Sequence, residues 1–190
     1  MSTVSGQAST QTRASFALDA ELAKLSLDER GAATAFLSVH PPGLGAPLAV
    51  VIHAYNEEPT VAGVVGEIPR AAAGLKTEVI VVVDGARDAT ASKAAGAGAL
   101  VCDVPVNRGQ GAALRLGYRA ARRGGAQYIV TTDADGQYNP AEIPGLLAPI
   151  LAGEADFVTG SRTKGSEETR DPVRRLGGAR HSGHHGAHHG

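Results

Sequence analysis

Apolar positions along the chain follow two alternating patterns. Unbroken runs stand at Leu48–Ile52 and Glu78–Val83, and weaker runs of the same kind at Leu100–Val104, Tyr128–Thr132 and Phe157–Thr159. Runs without polar alternation suit strands covered by helices on both faces. Between them the spacing becomes helical. Val61, Val64, Val65 and Ile68 repeat at i, i+3, i+4 and i+7, and Ile143, Leu146, Leu147, Ile150 and Leu151 form a second such stripe. Pro149 interrupts that second stripe and predicts a short or kinked helix. An Ala-rich stretch from Gly111 to Arg123 ends in basic residues before Gly124 and Gly125, which is a helix stop. Strand followed by helix, repeated about four times, predicts a right-handed, doubly wound parallel sheet.

The flanks read differently. Residues 1–14 are rich in Ser, Thr and Gln and are expected to be disordered. From Ser15 to Val39 a helix is expected, with Leu18, Leu22 and Leu25 about one turn apart and Pro41, Pro42 and Gly43 ending it. Beyond about Gly165 the chain is charged, then collapses into Gly, His and Ala; five of its seven histidines fall in the last ten residues. The expected division is an N-terminal extension over 1–46, an α/β domain over 47–164 and a tail over 165–190. The tail reads as an unstructured terminus, with weak Zn²⁺ or Ni²⁺ binding as the competing reading.

Composition narrows this little. The 190 residues suit one domain, and with aromatics at 4% and no Trp the core must be built from Val, Leu, Ile and Ala. A formal net charge of −1 gives no pull toward nucleic acid. The single cysteine, Cys102, excludes an internal disulfide and fits a reducing compartment. No apolar run reaches the roughly 18 residues that span a bilayer, and the N-terminus lacks a signal pattern. A soluble, cytoplasmic chain is expected.

Ligands of open parallel sheets sit beyond the carboxyl ends of the strands. Four such ends carry polar segments: His53-Ala54-Tyr55-Asn56-Glu57-Glu58, Asp84-Gly85-Ala86-Arg87-Asp88, Asn107-Arg108-Gly109-Gln110-Gly111 and Asp133-Ala134-Asp135-Gly136-Gln137. All four fall on one edge of the expected sheet. Asp133, Asp135 and Gln137 offer two carboxylates and an amide oxygen at alternate positions, hard ligands suited to Mg²⁺ or Mn²⁺ shared with phosphate oxygens. The plainer reading is a solvated turn. Asp84 is either a turn-capping residue or an acceptor for a base N–H. Tyr55 is either buried wall or a stacking face. Asn107 to Gly111 is either an ordinary helix start or a phosphate-holding one; it is no Walker loop, because no Lys-Ser or Lys-Thr pair follows.

Together with Gly160-Ser161-Arg162, these segments resemble the family-two inverting glycosyltransferases of GT-A fold, most closely the dolichol-phosphate-mannose-synthase-like branch that makes polyprenyl-phosphate sugars. The resemblance spans about 48 to 176. It implies a mostly parallel α/β sheet with helices on both faces and, since family members continue further, a missing C-terminal part. It implies that Tyr55, Glu57, Asp84, Asn107 and Gly109 line the nucleotide-sugar pocket, with Asp84 reading the base. Asp133, Asp135 and Gln137 would hold Mg²⁺ or Mn²⁺ and the diphosphate, with Asp133 and Asp135 as the catalytic pair. Arg162, with Arg174 or Arg175, would meet the acceptor phosphate. The implied partners are a UDP- or GDP-linked sugar donor and a polyprenyl phosphate at the inner membrane face. Two residues depart from the pattern: His53 stands where the family usually has Pro, and Val83 where it has the first of two Asp.

Three other functions compete. A donor-binding module without turnover would keep the same residues. An Asp-nucleophile phosphatase would place its acidic pair after the first strand with Thr close behind, whereas here Gly136 and Gln137 follow a later strand. A dinucleotide-binding dehydrogenase needs a third glycine at the fingerprint spacing after Gly109 and Gly111, and that glycine is absent.

Overall fold

The structure, a computed structural model, describes residues 23–40 and 45–160. The expectations for residues 1–14, Leu18, Leu22, Pro41 to Gly43, Arg162, Arg174, Arg175 and the His/Gly tail lie outside the described residues. The chain divides into two compact units, Met1–Gly145 and Leu146–Gly190.

In the first unit the described elements run α1 (Leu27–Val39), β1 (Leu48–Ala54), α2 (Val61–Glu67), β2 (Ala71–Ala72), β3 (Leu75–Asp84), α3 (Thr90–Gly96), β4 (Leu100–Val104), α4 (Gln110–Gly124) and β5 (Tyr128–Asp133). A 3₁₀ turn follows at Pro140–Glu142. The parallel strands are ordered β4-β3-β1-β5, and β2 adds an antiparallel pair of residues at the start of β3. The chain therefore moves outward from β1 through β3 to β4, then crosses back to place β5 on the other side of β1. The crevice at such a reversal is where open α/β sheets bind ligands. Four of the five expected apolar runs form the parallel sheet, with β1, β3 and β5 extending beyond their runs.

Strand residues alternate between faces. Ala49 and Val51 of β1, Ile80 and Val82 of β3, and Cys102 and Val104 of β4 share a core with α1 and α4, which contribute Phe36, Ala113, Leu116 and Ala121. The opposite positions, Val50, Ile52, Val81 and Val83, are also buried, on the face where α2 and α3 supply Val61, Val65 and Ala94. Helix α4 lies unusually close to the sheet. A Cβ on its Gly117 would come within 2.4 Å of Val51 Cγ1, so only glycine permits this approach. Gly125, at φ 101°, ends the helix in the left-handed conformation, as the glycine pair predicts.

Two expectations are corrected. Among the described residues the N-terminal helix starts at Leu27 and residues 23–26 are not helical, so the expected Ser15–Val39 helix is not continuous; Ser26 and Glu29 form a capping box at this start. The Ser26 backbone N–H donates to Glu29 Oε2 at 2.9 Å, while Ser26 Oγ accepts from the Glu29 N–H at 3.3 Å. Leu25 precedes the helix and is buried in the core with Phe36. The second correction lies in the other unit. Phe157–Thr159 forms no strand, and Phe157 is 80% exposed. Three apolar or β-branched residues are too few to hold a strand without a paired neighbour. Helix α5 (Ile143–Leu151) is short, with Pro149 inside it, as its sequence predicts. Among the described residues no helix is long and apolar enough to cross a membrane.

Candidate functional site

The ends of β3, β1 and β5 place three polar side chains in a row on the face covered by α4. His53 of β1 is in register with Val82 of β3 and with Asp133 of β5. Asp84, two positions beyond Val82, lies on the same face, and its Oδ2 is 3.7 Å from His53 Nε2. That distance is electrostatic contact rather than a hydrogen bond. His53 Nε2 is buried without a hydrogen-bond partner among the described residues. The four polar segments thus converge on one rim.

Asp84 closes β3 as a buried residue. It is 1% exposed, and each carboxylate oxygen accepts a backbone N–H at 2.7 Å, Oδ1 from Arg108 and Oδ2 from Gly109. A buried carboxylate with both oxygens so engaged fixes the loop that starts α4. The same bonds turn the Arg108 and Gly109 N–H groups inward, away from any phosphate. Asn107 Oδ1 also accepts from the Gly109 N–H, at 3.1 Å, so this pair shapes the turn. Gly109, at φ 86°, adopts a conformation that favours glycine. Gly85 completes the arrangement: at φ 70°, its absent Cβ leaves room for Asn107 N, which would otherwise lie 2.3 Å away.

Glu57 is likewise committed to structure. Its N–H donates to Thr90 Oγ1 at 2.8 Å, and its carboxylate accepts from the Thr60 hydroxyl at 2.9 Å. Around it the loops after β1 and β3 are laced together. Asn56 Oδ1 accepts from Arg87 N, Asp88 Oδ2 from Glu58 N, and Glu58 Oε2 from Ala89 N. The hydroxyl and N–H of Thr90 both donate to Asp88, whose carboxyl they hold below the usual carboxylate range. Sequence reasoning assigned the first of these loops to ligand contact and gave no account of the lacing. Asn56 at φ 53°, Asp88 and the buried Thr90 carried the signal, since Asn tolerates the left-handed region and Asp-x-Thr favours local turn bonding.

Tyr55, 42% exposed, Asn107, Arg108, Gln110 and the Asp135–Gln137 turn are open to solvent at this rim, with Asp133 partly exposed. Asp133 Oδ1 accepts from the side-chain amide of Gln110, the first residue of α4, at 3.0 Å. Asp135 Oδ1 accepts from the Gln137 N–H at 3.0 Å, closing a turn through Gly136 at φ 74°. Asp135, Gly136 and Gln137 are exposed. Among the described residues no three His, Cys, Asp or Glu side chains converge as a complete metal cage. Two carboxylates at an open rim match instead a hard divalent cation completed by ligand phosphate and water.

With this geometry in hand, comparison with known proteins decides the family. A model of glycosyl transferase family 2 matches residues 49–186. The chain belongs to that family. An uncharacterized protein of Methanocaldococcus jannaschii is 34% identical over 130 residues, covering 67% of this chain and 52% of that protein. Glucosyl-3-phosphoglycerate synthase of Mycobacterium tuberculosis is 34% identical over 118 residues, covering 58% and 36%. Dodecaprenyl-phosphate galacturonate synthase of Rhizobium johnstonii is 32% identical over 123 residues, covering 60% and 36%. A crystal structure of the mycobacterial synthase in complex with Mn²⁺, UDP and glucosyl-3-phosphoglycerate aligns at a TM-score of 0.47 and 30% identity, covering 64% of this chain and 43% of that one. The chain spans at most about half the length of these relatives.

Proposed function

We propose that this family-two domain binds a nucleotide-diphospho-sugar at the β1/β5 rim and passes the sugar, with inversion, to a phosphate-bearing acceptor. The observation that carries this reading is the placement of Asp133 and Asp135 at the open end of β5, beside the strand-order reversal. Asp133, Asp135 and the side-chain amide of Gln137 would hold Mg²⁺ or Mn²⁺; when bound, the ion supplies neutralisation of the charge on the departing diphosphate. The chain's own residues do the rest by positioning. Gln110 orients Asp133, the Asp135–Gln137 turn fixes the second carboxylate, and exposed Tyr55 offers a face on which a base can stack. A phosphate acceptor is already an anion, so attack on the sugar needs no general base, and rate comes from alignment and charge placement. Arg162 and Arg175 are the proposed acceptor-phosphate contacts.

Polyprenyl phosphate is the proposed acceptor, in keeping with the name of the Rhizobium relative; the mycobacterial relative's name points to a phosphoglycerate instead. A second reading, donor binding without turnover, would use the same residues at the rim. Calorimetry with UDP- and GDP-sugars, with and without Mn²⁺, tests the donor reading. Metal-dependent binding lost in Asp135→Ala supports it, and no binding of either nucleotide sugar overturns it. Transfer of labelled sugar to polyprenyl phosphate or phosphoglycerate then separates enzyme from binding module.

A further inference from the structure

Helix α1 lies outside the residues matched by the family, yet it reaches the rim. Asp28, in its first turn, accepts from the Arg108 guanidinium, with Arg108 Nη2 2.9 Å from Asp28 Oδ2. Further along, Ala33, Phe36 and Leu37 of α1 meet Leu116, Ala120 and Arg123 of α4. The two helices therefore run in the same direction and bring both N-termini to the ligand edge of the sheet. Arg108 is the residue whose backbone Asp84 anchors, two positions before the Gln110 that touches Asp133.

We propose that Arg108 is a cation for the donor's diphosphate and that Asp28 is its resting partner, surrendering it when the nucleotide binds. This rests on the donor-binding reading above. Three observations support it. The backbone of Arg108 is fixed while its side chain is 42% exposed, so the guanidinium can swing without disturbing the loop. Its partner is 36% exposed, and a solvent-exposed ion pair of this kind holds too weakly to outcompete a multiply charged phosphate. The neighbouring Glu29 carboxylate has its Oε2 bound by both the N–H and the hydroxyl of Ser26, and Asp28 is the carboxylate in direct hydrogen-bond contact with Arg108. Asp28 thus holds the cation at the rim without saturating it, and the N-terminal helix sets donor affinity.

The test is titration of UDP and of GDP with Mn²⁺ into full-length protein, wild type, Asp28→Asn, Arg108→Gln and the double variant. Arg108→Gln is expected to weaken diphosphate binding about tenfold, the scale of one charge-assisted contact. Asp28→Asn is expected to tighten it by about two- to fivefold, because the competing anion is gone, and to do nothing in the Arg108→Gln background. Asp28→Glu should restore wild-type affinity. Both single effects should shrink for UMP and GMP, which a merely structural role for the pair would not produce. If Asp28→Asn weakens binding, or Arg108→Gln leaves it unchanged, the inference fails while the donor reading stands. If wild-type protein binds neither nucleotide, both fail together.

Discussion

Asp84 and Gly109 are joined by a 2.7 Å hydrogen bond from the glycine N–H to a carboxylate that is 1% exposed. A second bond of the same length, from Arg108, uses the other oxygen. Strand β3 therefore ends in an anchor that sets where α4 begins, and the first residue of α4 sets the orientation of Asp133. One buried carboxylate thus positions another that stands at the open rim.

Replacing Asp84 should be costly. Asp84→Asn keeps one acceptor oxygen but presents an amide to a backbone donor, and is expected to destabilise by about 2–3 kcal/mol; Asp84→Ala strands both N–H groups and should cost more. Urea unfolding measures the loss, and amide exchange at Arg108 and Gly109 should accelerate in the Asn variant before global unfolding.

Gly85→Ala combines a positive φ with a methyl that would meet Asn107 N at 2.3 Å. A loss of about 2 kcal/mol or more is expected from strain alone, with further loss from the displaced loop. Gly96→Ala, where nothing lies within 4 Å of the added methyl, is the control and should leave thermal stability almost unchanged.

The Ser26–Glu29 box makes stability depend on acid pH. Glu29 is held below its ordinary value of 4.5, so its contribution is fully present above that pH and disappears as pH falls through the lower folded value. Ser26→Ala should cost about 1 kcal/mol at neutral pH and flatten the stability profile below about pH 4.5, checked by denaturant melts across pH 3–6.

Cys102 is buried against Phe36 and Leu116, and burial, aided by neighbouring Asp103, pushes its thiol up to about 12. A raised thiol value adds stability that is complete below the unfolded value and fades as pH climbs toward 12. Native protein at pH 8 should therefore react with a thiol reagent at least tenfold more slowly than urea-unfolded protein. Equal rates would show that α1 opens from the sheet.

Much of the frame was readable in advance because burial leaves an imprint on sequence. Strands β1 and β3 are covered on both faces, so they appear as unbroken runs of Val and Ile, and the glycine pair after Arg123 announces the end of α4. The rim was harder. Asp84 and Glu57 have the residue types of ligand contacts, and only coordinates show both Asp84 oxygens taken by backbone donors and one Glu57 oxygen by a hydroxyl. His53, at the centre of the row, was visible as the head of a polar strand end and as a departure from the family pattern, without a role. The Ser-x-x-Glu cap at Ser26 was legible but hidden by the leucine spacing before it. Phe157–Thr159 misled because a three-residue run carries no record of whether a neighbour exists.

The glycine at 117 has a mechanical consequence. With backbone of α4 resting directly on Val51 and Val82, no cushion of side chain lets the helix slide or roll over the strands. With the loop before α4 also pinned by Asp84, any rearrangement that accompanies ligand arrival falls to side chains at the rim and to the exposed Asp135–Gln137 turn, while helix and strands keep their places. A bulkier residue at position 117 would lift the helix and carry Gln110 away from Asp133.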